Sequence, residues 1–336
     1  MQVKTVSIGI QNLCVACECA CRYCLLRSNK TEEGVDYFRG RQLAQRFVQW
    51  AKSKDITPLP YYFIGYCAEY PELGDNIAFN RSAGFSGADF LQCNGIKIRN
   101  QKETDELVES LKAAGITMMD MTFYGDKSYH DRFAAREGDF DFMLRLAKSA
   151  AEQGIVCAPT LVITEENRNV LDGVVEVLTS ITQVESIHSF LPDYRGRGDL
   201  LEEVRLTEEG YEQLSHRVKG TLNMKRYRTE GEWLSMETLP EYTQRALTIT
   251  LRKDNIEQLE KMSCEEIVSH VEELDDAYYR AIPPVNDLAR QYGDPENRRL
   301  YRLRDLFWKW QRRYIQEHHL KLYDVTDERL CCSVRS

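Results

Sequence analysis

Three cysteines, Cys17, Cys21 and Cys24, lie in the stretch Cys17-Glu18-Cys19-Ala20-Cys21-Arg22-Tyr23-Cys24, with the spacing C-x₃-C-x₂-C. Three thiolates spaced in this way can hold three corners of a 4Fe–4S cube and leave its fourth iron open, whereas most such clusters take four protein thiolates. Other chemistry is written in the same residues. Cys14 and Cys17 form C-x₂-C, half of a zinc or redox site, and Cys19 crowds the same loop. A zinc site usually needs a second ligand pair, and none follows at a finger-like distance. A disulfide cluster would imply export, which nothing in the opening residues indicates. The cluster reading leads, with Cys17, Cys21 and Cys24 as metal ligands.

Tyr23 stands just before the last of these cysteines. A three-cysteine motif with an aromatic residue there closely resembles that of the radical S-adenosylmethionine (SAM) enzymes, in which the amino and carboxylate groups of SAM chelate the open iron. The segment Phe63-Ile64-Gly65-Tyr66-Cys67-Ala68-Glu69-Tyr70-Pro71 is similar to the Gly-Gly-Glu-Pro-like segment with which that family binds the SAM amino group. It departs from the pattern, with Cys67 and Ala68 in place of the glycines and Tyr70 before the proline. Glu69 still aligns with the acid, and a carboxylate beside an ammonium makes a charge-assisted hydrogen bond.

Gln92-Cys93-Asn94-Gly95 is similar to a Thr-Asn-Gly turn of the family, which makes Asn94 a cofactor-binding candidate. Thr122-Phe123-Tyr124-Gly125-Asp126, then His130-Asp131-Arg132 and Arg136-Glu137-Gly138-Asp139-Phe140, resemble the Ser-x-x-Gly, His-Asp and Arg-x-Gly-x-Phe run of a branch whose members often modify peptides. The resemblance puts Thr122 near the ribose or carboxylate of SAM and an arginine near that carboxylate. His130 reads as a structural residue at a helix start. Thr160, on one face with Val162 and Thr164, and Leu191, ahead of Tyr194-Arg195-Gly196-Arg197-Gly198, complete the expected cofactor contacts. Family members often hold the adenine against the backbone at that last position. The resemblance covers residues 1–205.

It implies two cofactors, a 4Fe–4S cluster and SAM, together with a flavodoxin- or ferredoxin-type electron donor. The implied reaction is reductive cleavage of SAM to a 5′-deoxyadenosyl radical that takes a hydrogen atom from the substrate. A peptide is the expected substrate, modified by epimerisation or cross-linking. A small metabolite, sugar or nucleotide is the alternative, and a non-catalytic iron–sulfur binding or sensing protein is a third reading. Cys67 and Cys93 are the candidate catalytic residues, as donors that return a hydrogen atom. The peptide-modifying branch commonly adds a cysteine-rich C-terminal module. Here only Cys264, Cys331 and Cys332 follow residue 200, too few to build one. The vicinal Cys331-Cys332 pair leaves a redox pair, a hydrogen-atom donor or part of a second cluster open.

The elements that must position these residues alternate. Residues 3–10 read as a strand leading into the cysteine loop, and residues 38–52 as a helix with Leu43, Phe47 and Trp50 on one face. Strands are expected at 59–66, 90–93, 116–123, 155–163 and 186–191. Helices are expected at 103–114, 140–153 and 169–181, with Gly115 and Gly154 closing the first two. Alternation of this kind means βα units on a parallel sheet. Six units are too few for an eight-stranded barrel, and they match the partial (βα)₆ barrel of the resemblance. Chemistry on parallel sheets sits at the C-terminal ends of the strands, where the cysteine loop begins.

Beyond residue 205 the sequence becomes charged and mostly helical, so the expected division is a core at 1–205 and a substrate-covering helical region at 206–336. Helices are expected at 206–222, at 255–281, and from Asp294-Pro295-Glu296 onward. The last would carry Leu300, Leu303, Phe307, Trp310 and Tyr314 on one seam, with arginines facing the acidic helix before it. The chain has 336 residues, 43% of them hydrophobic and 29% charged, and a net charge of −9. That composition is globular, and its sign disfavours nucleic acid and anionic membranes. Eleven cysteines without a secretory signal point to a reducing cytoplasm, and no apolar run reaches transmembrane length.

Overall fold

The computed structural model describes residues 5–13, 17–22, 24, 34–54, 56–64, 67–85, 89–181, 184, 186–194, 196–240 and 245–320. Its strands are β1 (Thr5–Leu13), β2 (Thr57–Pro58), β3 (Tyr62–Ile64), β4 (Phe90–Gln92), β5 (Met118–Phe123), β6 (Val156–Val162), β7 (His188–Phe190), β8 (Arg228–Thr229), β9 (Arg245–Leu251) and β10 (Leu300–Tyr301). The helices up to residue 180 are α1 (Tyr37–Lys52), α2 (Leu73–Ser82), α3 (Gln101–Ala114), α4 (Lys127–Ala134), α5 (Asp139–Glu152) and α6 (Leu171–Thr179). Short α7 (Glu208–Glu212), α8 (His216–Lys219) and α9 (Glu230–Leu234) follow, then α10 (Ile256–Lys261), α11 (Cys264–Ala281), α12 (Val285–Tyr292) and α13 (Leu303–Glu317).

Two parallel sheets result. β4-β5-β6-β7 pair in chain order, with Gln92 opposite Asp120, Thr122 opposite Thr160 and Thr160 opposite His188. In the other, β9 runs parallel to β1 along Thr5–Asn12, and β2 and β3 share β1's remaining edge. The strand expected at 59–66 is split because Pro58 and Pro60 have no N–H to give a ladder; between them Leu59 still donates to the Ile8 carbonyl at 2.7 Å. Among the described residues no ladder joins β3 to β4, so the structure is α/β with parallel sheets and no closed barrel.

Burial along the strands separates two faces. Leu91, Met119, Met121, Cys157 and Leu161 pack with Val108 and Leu111 of α3, Phe142 and Leu146 of α5, and Val174 and Leu178 of α6. The alternate residues, among them Gln92, Asp120, Thr122 and Thr160, therefore stand on the inner face, away from the helices. Around β1 the same logic puts Ile8, Ile10, Ile249 and Leu251 against Leu43 and Phe47 of α1 and Ile267 of α11. Local signals place the helices: Asn100 and Glu103 form a capping box on α3, and Gly115, at φ +98°, ends it.

The region after residue 205 is mostly helical, but it also supplies β9 to the first sheet. Residues 206–222 form two short helices rather than one. Residues 255–281 break at Met262, because Ser263 caps a new helix in a reciprocal box with Glu266. The last helix begins at Leu303, not at Asp294. Asp294 instead closes a turn, accepting from the Glu296 N–H at 3.0 Å, and Leu300 leaves the seam to bond the Leu206 carbonyl at 2.9 Å. Leu306 and Trp310 are the buried residues at the centre of the C-terminal core.

The ion pairs seen for the two charged helices run to other elements. Acids of α10 and α11 meet α1 and the turn after it, through Arg39–Glu260 at 2.6 Å and Lys54–Glu265 at 3.4 Å. The bases of residues 298–312 meet acids of residues 193–230, including Arg299–Glu203 at 2.7 Å and Lys309–Glu230 at 2.9 Å. Among the described residues no helix is long and apolar enough to cross a membrane.

Candidate functional site

The cysteine loop lies across the C-terminal ends of β4, β5 and β6. Three backbone bonds fix it there: Glu18 N–H to the Gly95 carbonyl at 2.9 Å, Ala20 N–H to Ala134 at 2.9 Å and Arg22 N–H to Phe133 at 3.0 Å. The first ties the loop to the turn after β4, and the others tie it to the end of α4. Its cysteines alternate in exposure. Cys17, Cys21 and Cys24 are half-buried, while Cys19 is buried among Tyr124, Tyr129, Phe133 and Val162.

Cys19 is held from below. Its Sγ–H donates to Asp139 Oδ2 at 3.7 Å. The same carboxylate, fully buried at the start of α5, receives Arg136 at 2.5 Å and lies 3.2 Å from His130 Nε2. His130 Nδ1 accepts the Tyr124 N–H at 3.2 Å, which assigns the ring proton to Nε2. Burial pushes the Asp139 carboxyl up, but His130 and Arg136 outweigh it and hold it below the usual range. Arg136 also donates to the Ile96 carbonyl at 2.5 Å, beside the turn that anchors Glu18. His130 is thus a buried link inside α4, as its structural reading requires.

Donors also reach two of the half-buried sulfurs. The Cys19 N–H points at Cys17 Sγ from 3.2 Å, and the Tyr124 hydroxyl donates to Cys21 Sγ at 3.5 Å. The Cys19 and Tyr124 donors hold the Cys21 thiol below its ordinary value; Cys19, bonded to Cys17 and Cys21 and buried, is pushed up. Hydrogen bonds to sulfur are a protein's lever on an iron–sulfur cluster. Among the described residues no three His, Cys, Asp or Glu side chains converge as they would on a single metal ion. What the loop offers is three half-exposed thiols within eight residues, with the fourth turned to an internal carboxylate. That donor set fits a cluster with one open iron.

The other candidates are placed as follows. Glu69, in a short turn before α2, is ion-paired with Arg99, which follows the Asn94-Gly95 turn. Asn94 is buried and its amide is engaged twice with the Thr122 backbone, accepting its N–H at 2.6 Å and donating to its carbonyl at 2.7 Å. This clamp holds β5 beside β4 just past their last ladder pair. Thr122 ends on the inner face, with Thr160 one strand away. The Thr160 hydroxyl donates to Asp120 at 2.9 Å. The Leu191 N–H is taken by the Tyr227 hydroxyl at 3.3 Å.

Cys93 is corrected. It is completely buried in the helix-side core, its Sγ directed to the Leu91 carbonyl at 3.7 Å, because strand alternation turns it away from the inner face. Burial pushes its thiol up. It is not placed to return a hydrogen atom to a substrate. The side chain of Cys67 lies outside what the structure describes, and so do Cys331 and Cys332 altogether.

Several contributors escaped the sequence reading. Asp139 stands in the first turn of α5, where an acid reads as helix-dipole compensation. Tyr124 reads as a core aromatic. Asn167 donates to the Tyr124 and Val162 carbonyls at 2.6 Å and accepts the Thr164 N–H at 2.8 Å, closing the end of β6. Arg22 reaches Glu166 at 2.5 Å, a second tie between the cysteine loop and that end. Each works through a partner far away in the chain, which a local pattern does not show.

No protein-family model matches the chain, and no curated protein matches it. Solved structures do. The chain is similar to Streptococcus suis SuiB bound to precursor peptide SuiA, at 12% identity and a TM-score of 0.48 over 72% of this chain and 57% of that one. It is similar to anSMEcpe with bound AdoMet and Cp18Cys peptide, at 10% identity and 0.49 over 93% and 97% of the two chains. The Escherichia coli coproporphyrinogen III oxidase HemN, a radical SAM enzyme, shares 15% identity at 0.36 over 56% and 44%. The chain thus spans little more than half the length of SuiB. At these identities and scores, the functional reading rests on this chain's own residues and their placement.

Proposed function

We propose that this chain is a radical SAM enzyme that acts on a peptide. The observation that carries the reading is the cysteine loop: Cys17, Cys21 and Cys24 half-exposed at the C-terminal ends of parallel strands, with Cys19 withdrawn to Asp139. Cys17, Cys21 and Cys24 would hold a 4Fe–4S cluster through three of its irons. When bound, the cluster and SAM supply the one-electron chemistry that makes a radical able to take hydrogen from an unactivated C–H bond.

The chain's own residues do the rest. Glu69, beside Arg99, offers a carboxylate to the SAM ammonium, and Thr122, Thr160 and the backbone at Leu191 border the space for its nucleoside. The rigid strand ends hold the reacting groups in place, which is where selectivity toward one C–H bond must come from. Residues 206–336 would cover this space, and a flavodoxin- or ferredoxin-type donor in a reducing cytoplasm would supply the electron. The peptide substrate is supported by the ordered matches through residues 119–140 and by the inner face of β4–β7, where Gln92 and His188 are exposed.

The test is anaerobic reconstitution with iron and sulfide, then dithionite and SAM, with 5′-deoxyadenosine as the readout beside a Cys17→Ala/Cys21→Ala/Cys24→Ala variant. Product from the native chain alone supports the reading. A chain that takes up zinc and builds no cluster defeats it.

A further inference from the structure

The inner face of the β4–β7 sheet carries one carboxylate that nothing so far uses. Asp120 stands at the middle of β5, opposite Gln92 of β4. Its Oδ1 accepts from the Thr160 hydroxyl at 2.9 Å. Among the described residues no lysine or arginine pairs with it. The titratable group that acts on it is His188, one strand further on. Burial holds its carboxyl above the ordinary range, with Thr160, the Met121 backbone and His188 opposing.

A carboxylate has acceptor sites for about four hydrogen bonds, and the Thr160 hydroxyl fills one of them. The Asp120 side chain is half-buried, so a ligand on the inner face can reach it. A half-buried carboxylate with no cation of the fold beside it gains most from a charged N–H donor, and that is the ligand chemistry it favours. The surroundings say what kind. On the same face of β4, two residues before Gln92, Phe90 is 48% exposed, an aromatic surface on which a long aliphatic stem or a cation can lie. Thr122, the expected cofactor neighbour, is two residues toward the C-terminal end of β5, about 7 Å away at the usual rise of a strand.

We propose that Asp120 is a substrate-binding residue that anchors a cationic N–H donor, the ammonium or guanidinium of a lysine- or arginine-like group, on the inner face of the sheet. The stem of that group lies along Phe90, and its carbon atoms extend toward the strand ends. This deepens the reading of a radical SAM enzyme and rests on it for the reaction, but the binding stands or falls separately.

The experiment uses the full chain with its cluster reconstituted and four probes: the Nα-acetyl amides of arginine, lysine, citrulline and norleucine, followed by calorimetry. The native chain is expected to bind a charged probe at least about tenfold more tightly than its neutral counterpart, the scale of one hydrogen bond to a charged group. Asp120→Asn removes the preference, and Asp120→Glu restores part of it, which a merely structural role would not do. Equal binding of charged and neutral probes, an unchanged preference in Asp120→Asn, or no cation-dependent binding overturns the proposal. The same preparation is assayed for 5′-deoxyadenosine. A charge preference without SAM cleavage leaves the site and removes the enzyme; cleavage without a preference does the reverse.

Discussion

Cys19 Sγ and Asp139 Oδ2 lie 3.7 Å apart across 120 positions of sequence, and this contact separates buried Cys19 from half-exposed Cys17, Cys21 and Cys24. It divides the roles of four nearly adjacent thiols. Single replacement of Cys17, Cys21 or Cys24 by Ala is expected to lower iron bound per chain after reconstitution. Cys19→Ala is expected to retain it, with at most a slower uptake. Iron loss equal to that of Cys21→Ala in the Cys19 variant would assign the ligands differently.

Asp139→Asn should be among the most damaging substitutions. It leaves buried Arg136 with only the exposed Glu18 carboxylate at 3.4 Å as a charge partner and weakens the bond to His130, a change worth about 3–5 kcal/mol for a broken buried pair. Denaturant unfolding measures it. The pH dependence has a definite sign. The folded-state carboxyl is held lower than in the unfolded chain, so its contribution is present above the unfolded value near about pH 4 and is lost as pH falls through the folded one. In Asp139→Asn that part of the acid-side decline should disappear.

Asp120 carries the opposite sign. Its carboxyl is raised by burial, so the ionised form costs stability once the pH rises above the unfolded value. Asp120→Asn is expected to raise the melting temperature at pH 7.5, with the gain shrinking as the pH falls toward about 4. Thermal melts at two pH values decide it. A substitution that stabilises the fold while removing binding is the usual signature of a functional residue.

Replacing Cys93 by Ala should leave 5′-deoxyadenosine formation unchanged, since its side chain faces the helices. The cost is a small cavity and about 1 kcal/mol. A fall in product without a fall in stability would return Cys93 to the reaction.

Glu230 is the corresponding test of the C-terminal part. Fully buried, it accepts from Trp310 Nε1 at 2.9 Å, Asn297 at 2.6 Å and Lys309 at 2.9 Å. Glu230→Ala should cost about 3–5 kcal/mol by leaving Lys309 without one of its two acids and Trp310 without an acceptor. A melt that moves by less than a degree would show the network to be dispensable.

How far the sequence could be read depends on the range of the interactions involved. Most strand and helix positions up to residue 181 follow from local rules: Asn100 and Glu103 cap α3, Gly115 ends it, and the β5 and β6 runs are apolar on the helix side. Helices α2 and α4 were not expected. The last helix was misplaced because Asp294-Pro295-Glu296 satisfies the same local rules, and only Leu300's bond to Leu206, with β10 on β8, overrides them. The partners of the acids and bases after residue 250 were not legible, because complementary charge in a sequence carries no address: Glu260 pairs with Arg39 and Arg299 with Glu203.

The cysteine triad and its spacing are legible in the sequence alone, since a candidate ligand set within eight residues needs no folding to be recognised. So is the parallel α/β class. The tertiary structure decided which cysteine is withdrawn, that Cys93 faces the helices, that β9 joins β1, and that Asp120 stands without a cation. Each of these depends on partners far apart in the chain, brought together by burial and by the alternation of a strand, and neither leaves a local mark in the residues themselves.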